Sequence, residues 1–362
     1  MTLTKVRIIH ETNPRKYFPA LFELGNSNEI DLVGEHRYSV FKEWLRAWLV
    51  DRTPFMERTK NALNDLIFRF KLPFIKNEVI LMGFAPWDWR LLFYKRLAKH
   101  NKILYHTSWH DWDLNKTPRQ PYFSFLKKYL SNQWKSFITH SNVKVIAVTK
   151  EVAKSVTFHT KAVPTVIPHA VPDVFFQAGL NRVPNNEAPL KLLYVGEISE
   201  KKGIKQLLSI VRRFTEQEVV LTVVGKGPLE SLVRTEDSQV NYLGAIYDRS
   251  KLALIMSEHD VLMLLSQKTQ TWEELFGIVI VEAIASGCAV IATDHIGPRD
   301  ILGEGEHIGL FKEKNTNEVS EFLRDLLNSH IKVNELKNKQ NVATTYSISK
   351  VKKAWLMVIS EQ

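Results

Sequence analysis

The sequence predicts an α/β protein of two domains, each a parallel β-sheet covered by helices. Three observations carry that expectation. The chain has 362 residues, more than one domain of about 100–200 residues holds. In both halves short apolar runs alternate with segments of helical periodicity, the pattern of strand–helix–strand units. The runs are apolar at nearly every position, as in strands buried on both faces of a parallel sheet. Hydrophobic residues at 44% and charged residues at 24% are ordinary for a globular chain. They exclude disorder, collagen and a small disulfide-stapled scaffold.

The second half shows its elements most clearly. Residues 192–196 form an apolar run closed by Gly, and Ile204, Leu207, Leu208, Val211 and Phe214 follow at helical spacing. Residues 219–225, 240–244, 261–265 and 289–293 read as further strands, and 251–259, 277–286, 318–329 and 349–359 as helices. Asn315, with Glu318 three residues on, is a helix-start signal. In the first half, 6–9, 79–82, 103–106 and 143–148 are candidate strands, 91–99 is a helix and 38–76 is mostly helical. Residues 177–190 mix Gly, Pro, Asn and Ala and read as a linker. The expected organisation is a first domain over 1–176, the linker over 177–190, a second domain over 191–346 and a last helix over 347–362. Two such domains imply a cleft, and ligands of open parallel sheets bind outside the carboxyl ends of the strands.

The charge is uneven. Lys and Arg number 49 against 39 Asp and Glu, a net of +10. Residues 1–180 hold 27 and 15, a net of +12, and the remainder 22 and 24, a net of −2. Seven of the nine tryptophans also lie in the first half. A basic chain suits nucleic acid, a membrane surface or phosphorylated ligands. The sole cysteine, Cys288, rules out an intrachain disulfide and fits a reducing compartment. Charges interrupt the apolar residues of 1–10, so no signal-peptide core is read there. No run approaches the roughly 18 apolar residues of a membrane span. The expected location is cytoplasmic, with any membrane contact peripheral and on the inner face.

The strongest chemical signal is Glu274-Leu-Phe276-Gly277, followed by Ile278 and then Glu282. A helix opens at the Gly, and its free N–H groups suit a phosphate. Gly277 admits close approach of a ligand to the backbone. Glu274 can accept from sugar hydroxyls, and Glu282 from a ribose diol, as the acidic residue of dinucleotide sites does. Read alone, the stretch is as well an amphipathic helix with two solvated glutamates. It is not alone: Gly196-Glu197 through Lys201-Lys202-Gly203 lies at one strand-to-helix turn and Gly225-Lys226-Gly227-Pro228 at the next. A Lys in such a turn can neutralise a diphosphate.

Taken in order, Lys202-Gly203, Val224 to Pro228, Tyr242-Leu243-Gly244, Ser266 and Glu274 to Glu282 resemble the C-terminal domain of the retaining GT-B glycosyltransferases, family four (glycosyl transferases group 1). Residues 283–291 and Gly297 to Ile301 continue the likeness, which covers roughly 190–350 strongly. In the first half it is thinner. Val166 to Pro172 resembles the segment closing the first domain, 145–150 a preceding strand and turn, and 103–111 the place of a cleft histidine. The resemblance implies a GT-B fold: two Rossmann-like domains facing across a cleft, the first binding acceptor and the second donor, with the C-terminal helix crossing back to the first.

It also implies a retaining, metal-independent hexosyltransferase that moves a sugar from a nucleotide diphosphate sugar to a hydroxyl of a glycan or lipid-linked acceptor. Polysaccharide or glycolipid assembly, lipopolysaccharide included, is the expected setting, and no cofactor beyond the donor is required. Carried over residue by residue, Lys202, helped by Lys201, faces the diphosphate, and Glu282 the ribose. Glu274 with Phe276, Gly277 and Ile278 holds the transferred sugar. Gly196, Gly227, Gly244 and Ile246 lie by the nucleotide and its base. His110 is the first choice for the cleft histidine and His106 the second. Two departures stand out. Glu197 occupies the place of the family's arginine, so either it points away and Lys201 or Arg299 compensates, or donor binding is weak. Residues 11–16 replace the family's Gly-rich loop.

Residues 41–76 interleave Phe41, Trp44, Trp48 and Phe70 with Lys42, Arg58 and Lys71. Such a surface suits an anionic membrane face or a lipid-linked, phosphate-bearing acceptor; equally, the aromatics are core and the cations solvated. A nucleic-acid reader is the rival class, but no helix-turn-helix, zinc or RNA-recognition signature is present. A GT-B epimerase or phosphorylase and a catalytically weak family member are the nearer alternatives.

Overall fold

The strands form where β-branched and aliphatic runs are apolar on both faces, and each is followed by a turn rich in Gly or polar residues that returns the chain over the sheet. The computed structural model describes residues 3–361 apart from 12–13, 50–53, 113–120, 183–188, 235–236, 271, 304–307, 329 and 341. The chain divides into two units, residues 1–170 with 351–362, and residues 171–350.

In the first unit the order is β1 (Lys5–His10), α1 (Pro14–Tyr17), α2 (Pro19–Asn26), β2 (Asp31–Arg37), α3 (Val40–Leu49), α4 (Phe55–Lys71), β3 (Val79–Gly83), α5 (Leu91–Tyr94), β4 (Lys102–Thr107), α6 (Ser124–Ile138), β5 (Val143–Ala147), α7 (Lys150–Thr160) and β6 (Thr165–Val166). Its parallel sheet runs β2-β1-β3-β4-β5-β6, so the chain reverses direction across the sheet between β1 and β3. Phe68, Tyr94, Leu130 and Trp134 bury against Ile80, Met82 and Tyr105. This places α4, α5 and α6 in one helical layer. The N-cap Thr149 accepts from the Val152 N–H at 3.2 Å and fixes the start of α7.

In the second unit the order is α8 (Asp173–Leu180), β7 (Leu190–Val195), α9 (Ile204–Val211), β8 (Val219–Val224), β9 (Val240–Gly244), α10 (Arg249–Ser257), β10 (Val261–Leu264), α11 (Ile278–Ala285), β11 (Ala289–Thr293), α12 (Ile296–Leu302), β12 (Leu310–Phe311), α13 (Thr316–Leu327), α14 (His330–Lys339) and the start of α15 (Ile348–Ser360). The parallel sheet runs β12-β11-β10-β7-β8-β9, the order of a dinucleotide-binding fold. Its core is the buried face of α9 with Leu192, Val223, Met263 and Ile291 of the strands. Both units are thus Rossmann-like. Most of α15 belongs to the first unit, where Trp355 meets Phe18 edge-on at 5.9 Å and Lys352 pairs with Glu29 at 2.6 Å.

The structure adds to or changes several expectations. Residues 177–180, expected within a linker, are the last residues of α8. A Cβ at Gly179 would lie 2.2 Å from the Ala285 carbonyl, so this Gly serves close helix packing rather than a turn. The rest of that linker lies partly outside the described residues. Strands β2, β6 and β12 are additional. Asn315 caps α13 by position, but its amide pairs with Glu318 instead of accepting a backbone N–H.

Candidate active site

In the second unit the strand order reverses between β7 and β10. The loops leaving these neighbours, 196–203 and 265–277, therefore diverge from a common point, where such sheets bind ligands. Gly203 joins them. Its φ is +73°, and a Cβ there would sit 1.8 Å from the Leu265 carbonyl oxygen, so only Gly lets the turn after β7 lie on the end of β10. The Gln267 N–H closes the contact by donating to the Lys201 carbonyl at 2.7 Å. Neighbouring turns are fitted the same way: a Cβ at Gly225 would lie 1.8 Å from the Gly196 carbonyl oxygen, and one at Gly227 2.2 Å from that of Ile198.

These loops bring together the two residues on which the expected chemistry rests. Lys202 Nζ donates to Glu274 Oε2, and Ser266 Oγ donates to the same oxygen at 3.3 Å. Both side chains of the ion pair are largely buried. The Glu274 backbone is gripped as well: its N–H donates to His295 Nδ1 at 3.3 Å, and its carbonyl accepts from the Gly297 N–H at 2.9 Å. The other ring nitrogen, Nε2, lies 3.1 Å from Glu313 Oε1. Lys202 Nζ stands 4.7 Å from the centre of the Trp272 ring and Lys201 Nζ 5.6 Å, within cation–π range.

Glu197 turns to Lys201, its carboxylate 2.8 Å from the ammonium. Tyr194 donates to the Glu197 carbonyl at 2.6 Å. Burial, then the charges of Glu197 and Glu274, push its phenol well above the usual range. Arg299 donates to Asp294 at 2.8 Å. Helix α11 starts at Gly277, whose φ is +70°, with Ile278 first in the helix. Phe276 is buried, its ring 6.1 Å from that of Tyr346, while its backbone closely meets Gly297. Glu282, one turn into α11, is 4% exposed and accepts from Arg249 Nη2. The Arg249 guanidinium lies 4.7 Å from the centre of the Phe175 ring. Gly244 ends β9 with φ +71° and open space beside it, and Ile246 follows half-buried in the loop to α10.

Trp272, His295 and Arg249 are contributions that motif reading missed. Trp272 had a weak signal, as an aromatic two residues before Glu274. His295 and Arg249 had none, because their partners are set by tertiary packing.

In the first unit the two histidine candidates separate by exposure. His110 is half-exposed, 4.0 Å from Asp111. His106, near the end of β4, is buried against Phe18, His169 and Trp355. Burial, followed by the nearby His169 and His10, holds its pKa well below the ordinary value. The place of the Gly-rich loop is taken by Glu11, which pairs with Arg90 at 3.0 Å, and Arg90 also reaches Asp88 at 2.6 Å. Among the described residues, no group of three or more His, Cys, Asp or Glu could hold a metal ion, and no helix is long and apolar enough to cross a membrane.

Residues 179–342 match the family of glycosyl transferases group 1. That match lies within the second unit and covers less than half of the chain. Among curated relatives it is 27% identical over 134 residues to an uncharacterized 41.2 kDa protein in the cps region of Klebsiella pneumoniae, covering 37% of this chain and 36% of the relative. It is 35% identical over 123 residues to a phosphatidyl-myo-inositol mannosyltransferase of Mycobacterium tuberculosis, covering 32% of this chain and 31% of the relative. The matched part thus spans about a third of each relative's length. Among solved structures, Anabaena HepE in complex with UDP aligns with a TM-score of 0.66 over 99% of this chain and 100% of that one, at 15% identity. The likeness to HepE is one of fold, and the group 1 domain is the half that sequence ties to the family.

Proposed function

We propose that the chain is a retaining glycosyltransferase that moves a sugar from a nucleotide diphosphate sugar to a hydroxyl of a glycan or lipid-linked acceptor, in cell-surface polysaccharide or glycolipid assembly. One observation carries the reading: Lys202 and Glu274 meet at the strand-order reversal of the group 1 domain, beside the start of α11. The ammonium and the first N–H groups of α11 neutralise the diphosphate as it leaves. Once the phosphate draws Lys202 away, Glu274 turns its freed oxygen to hydroxyls of the transferred sugar. Glu282, with Arg249 balancing its charge, accepts from the ribose hydroxyls, and Lys201 supports the diphosphate. The bond from the anomeric carbon to the diphosphate oxygen breaks. A bond from that carbon to the acceptor oxygen forms on the same face, and the hydroxyl proton passes to the departing phosphate. The UDP held by HepE and the mannosyltransferase name of the mycobacterial relative support the donor class.

The test is incubation of the protein with a panel of sugar nucleotides and hydroxyl acceptors, reading acceptor-dependent release of the nucleoside diphosphate. Transfer from at least one donor, with the anomeric configuration kept in the product, is expected. Binding of a sugar nucleotide followed only by epimerisation, or no binding of any donor, overturns the reading.

A further inference from the structure

We propose that the outer side of the α4–α5–α6 layer is a docking surface for an anionic lipid bilayer. The three helices bury one side against the first sheet through Phe68, Tyr94, Leu130 and Trp134. Two of them are also tied to each other: Lys95, just after α5, donates to Gln133 of α6. Their other sides carry aromatics in the open. Phe70 lies in the last turn of α4, Phe93 lies on α5, and Phe125 and Tyr129 stand one turn apart on α6, all of them exposed. Tyr122 and Phe123, just before α6, are exposed as well. Soluble monomers seldom leave so much large apolar surface uncovered in one layer.

Charge selects the occupant. Residues 89–102 and 121–140 contain eight Lys or Arg and no Asp or Glu. Of these, Arg96, Lys99, Lys127 and Lys128 are exposed among the aromatics. A second copy of the chain docked face to face would set these cations against the same cations. An anionic leaflet supplies the opposite charge, and each Lys or Arg near its surface adds attraction. Phe, Tyr and Trp between cations is the composition of a surface lying at the headgroup boundary, ring inward and ammonium outward. The helical hairpin of α3 and α4 extends this composition. Arg58 lies 4.6 Å from the Trp44 ring centre and 5.1 Å from that of Phe55, while Phe41 and Met56 remain exposed. Residues 41–76 are thus only part of the surface; its acid-free part lies on α5 and α6.

The experiment is flotation of the full chain with phosphatidylcholine vesicles, with and without phosphatidylglycerol, at low and physiological salt. It reads lipid binding and is independent of sugar transfer. The chain is expected to float with the phosphatidylglycerol vesicles and far less with neutral ones. The pair Lys127→Glu with Lys128→Glu, and the pair Phe125→Ser with Tyr129→Ser, are each expected to weaken binding by about tenfold or more with an unchanged melting profile. All four side chains are exposed; should the charge reversal disturb folding, Lys127→Gln with Lys128→Gln serves in its place. No flotation with anionic vesicles, or equal flotation of both variant pairs and the parent, overturns the proposal. So does an aromatic pair whose only effect is to abolish self-association, or an RNA gel-shift tighter than vesicle binding at physiological salt.

Discussion

Lys202 and Glu274 satisfy each other, and their pairing turns a weak motif into a site. A buried ammonium and a buried carboxylate each cost on the order of several kcal/mol if left alone. Here each offsets part of the other's cost. Lys202→Ala is expected to lower transfer by more than about tenfold with the fold retained. Glu282→Ala should do the same with the loss in donor KM, measured by nucleotide release across donor concentrations. Glu197→Arg tests the departure from the family. It breaks the 2.8 Å pair with Lys201 and adds a cation where the family has one, so donor affinity is expected to hold or rise. Complete loss of activity would assign Glu197 a role of its own. Arg249 is the counterpart that motif reading could not supply, since Glu282 lies 33 positions away. Truncating it removes the cation paired with a carboxylate of which 4% is exposed, and Arg249→Ala should cost about 1–3 kcal/mol, reduced from a fully buried pair because the guanidinium is partly solvated. Adding Glu282→Gln to that variant should recover part of the loss in a double-mutant cycle read by urea unfolding.

At the scale of elements, what is legible in the sequence is what is written locally. Strands β7, β8, β10 and β11 are apolar at nearly every position, and the glycines that end or follow them mark the turns. Gly203 and Gly277 fall where backbone strain demands Gly, so the order of residues alone places the two site loops. The illegible parts depend on packing. Strand β2 reads DLVGEHR, half-exposed along its length and with no apolar run to mark it. Residues 177–180 look like a linker in composition but complete α8, which packs on α10 and α11 and brings Gly179 onto the Ala285 carbonyl. His295 reaches the Glu274 backbone only because α12 starts beside that loop. The tightest of these fits gives the element-scale prediction. Gly203→Ala places a Cβ 1.8 Å from a backbone oxygen at φ +73°, with no flexible side chain able to give way. Its expected cost is above about 2 kcal/mol by urea unfolding, with donor release lost because Lys202 moves with the turn. Gly244→Ala, at a similar φ but with open space around it, should cost only about 1 kcal/mol.

At the scale of the whole molecule, the two units can be followed separately because their reporters differ. Eight of the nine tryptophans belong to the first unit, and Trp272 alone to the second. Fluorescence therefore follows the first unit's unfolding, and calorimetry follows both. Below pH 7 the units should respond unequally. His106 is buried in the first unit, chiefly by desolvation held well below its ordinary pKa, with His169 and His10 adding to the shift. The unfolded chain takes up that proton near pH 6.5, the ordinary histidine value, and the folded chain does not. Stability from this group is thus whole above pH 6.5 and is lost as pH falls through and below it. In the second unit His259 is also lowered by burial, but less, because the Ile255 carbonyl and the Glu258 and Asp260 charges raise it. Between pH 7.5 and about 5.5, the fluorescence-detected midpoint is expected to fall further than the calorimetric midpoint of the second unit. A nucleoside diphosphate bound by the group 1 domain should act the other way. At about 100 times its Kd it adds roughly 2.7 kcal/mol to the unit that holds it, raising the second unit's transition directly. His106→Phe keeps the aromatic contacts and removes the proton site, so it should flatten the fluorescence-detected pH dependence and leave the nucleotide effect in place. A pH profile unchanged by that substitution would place the acid sensitivity of the first unit in its carboxylates instead.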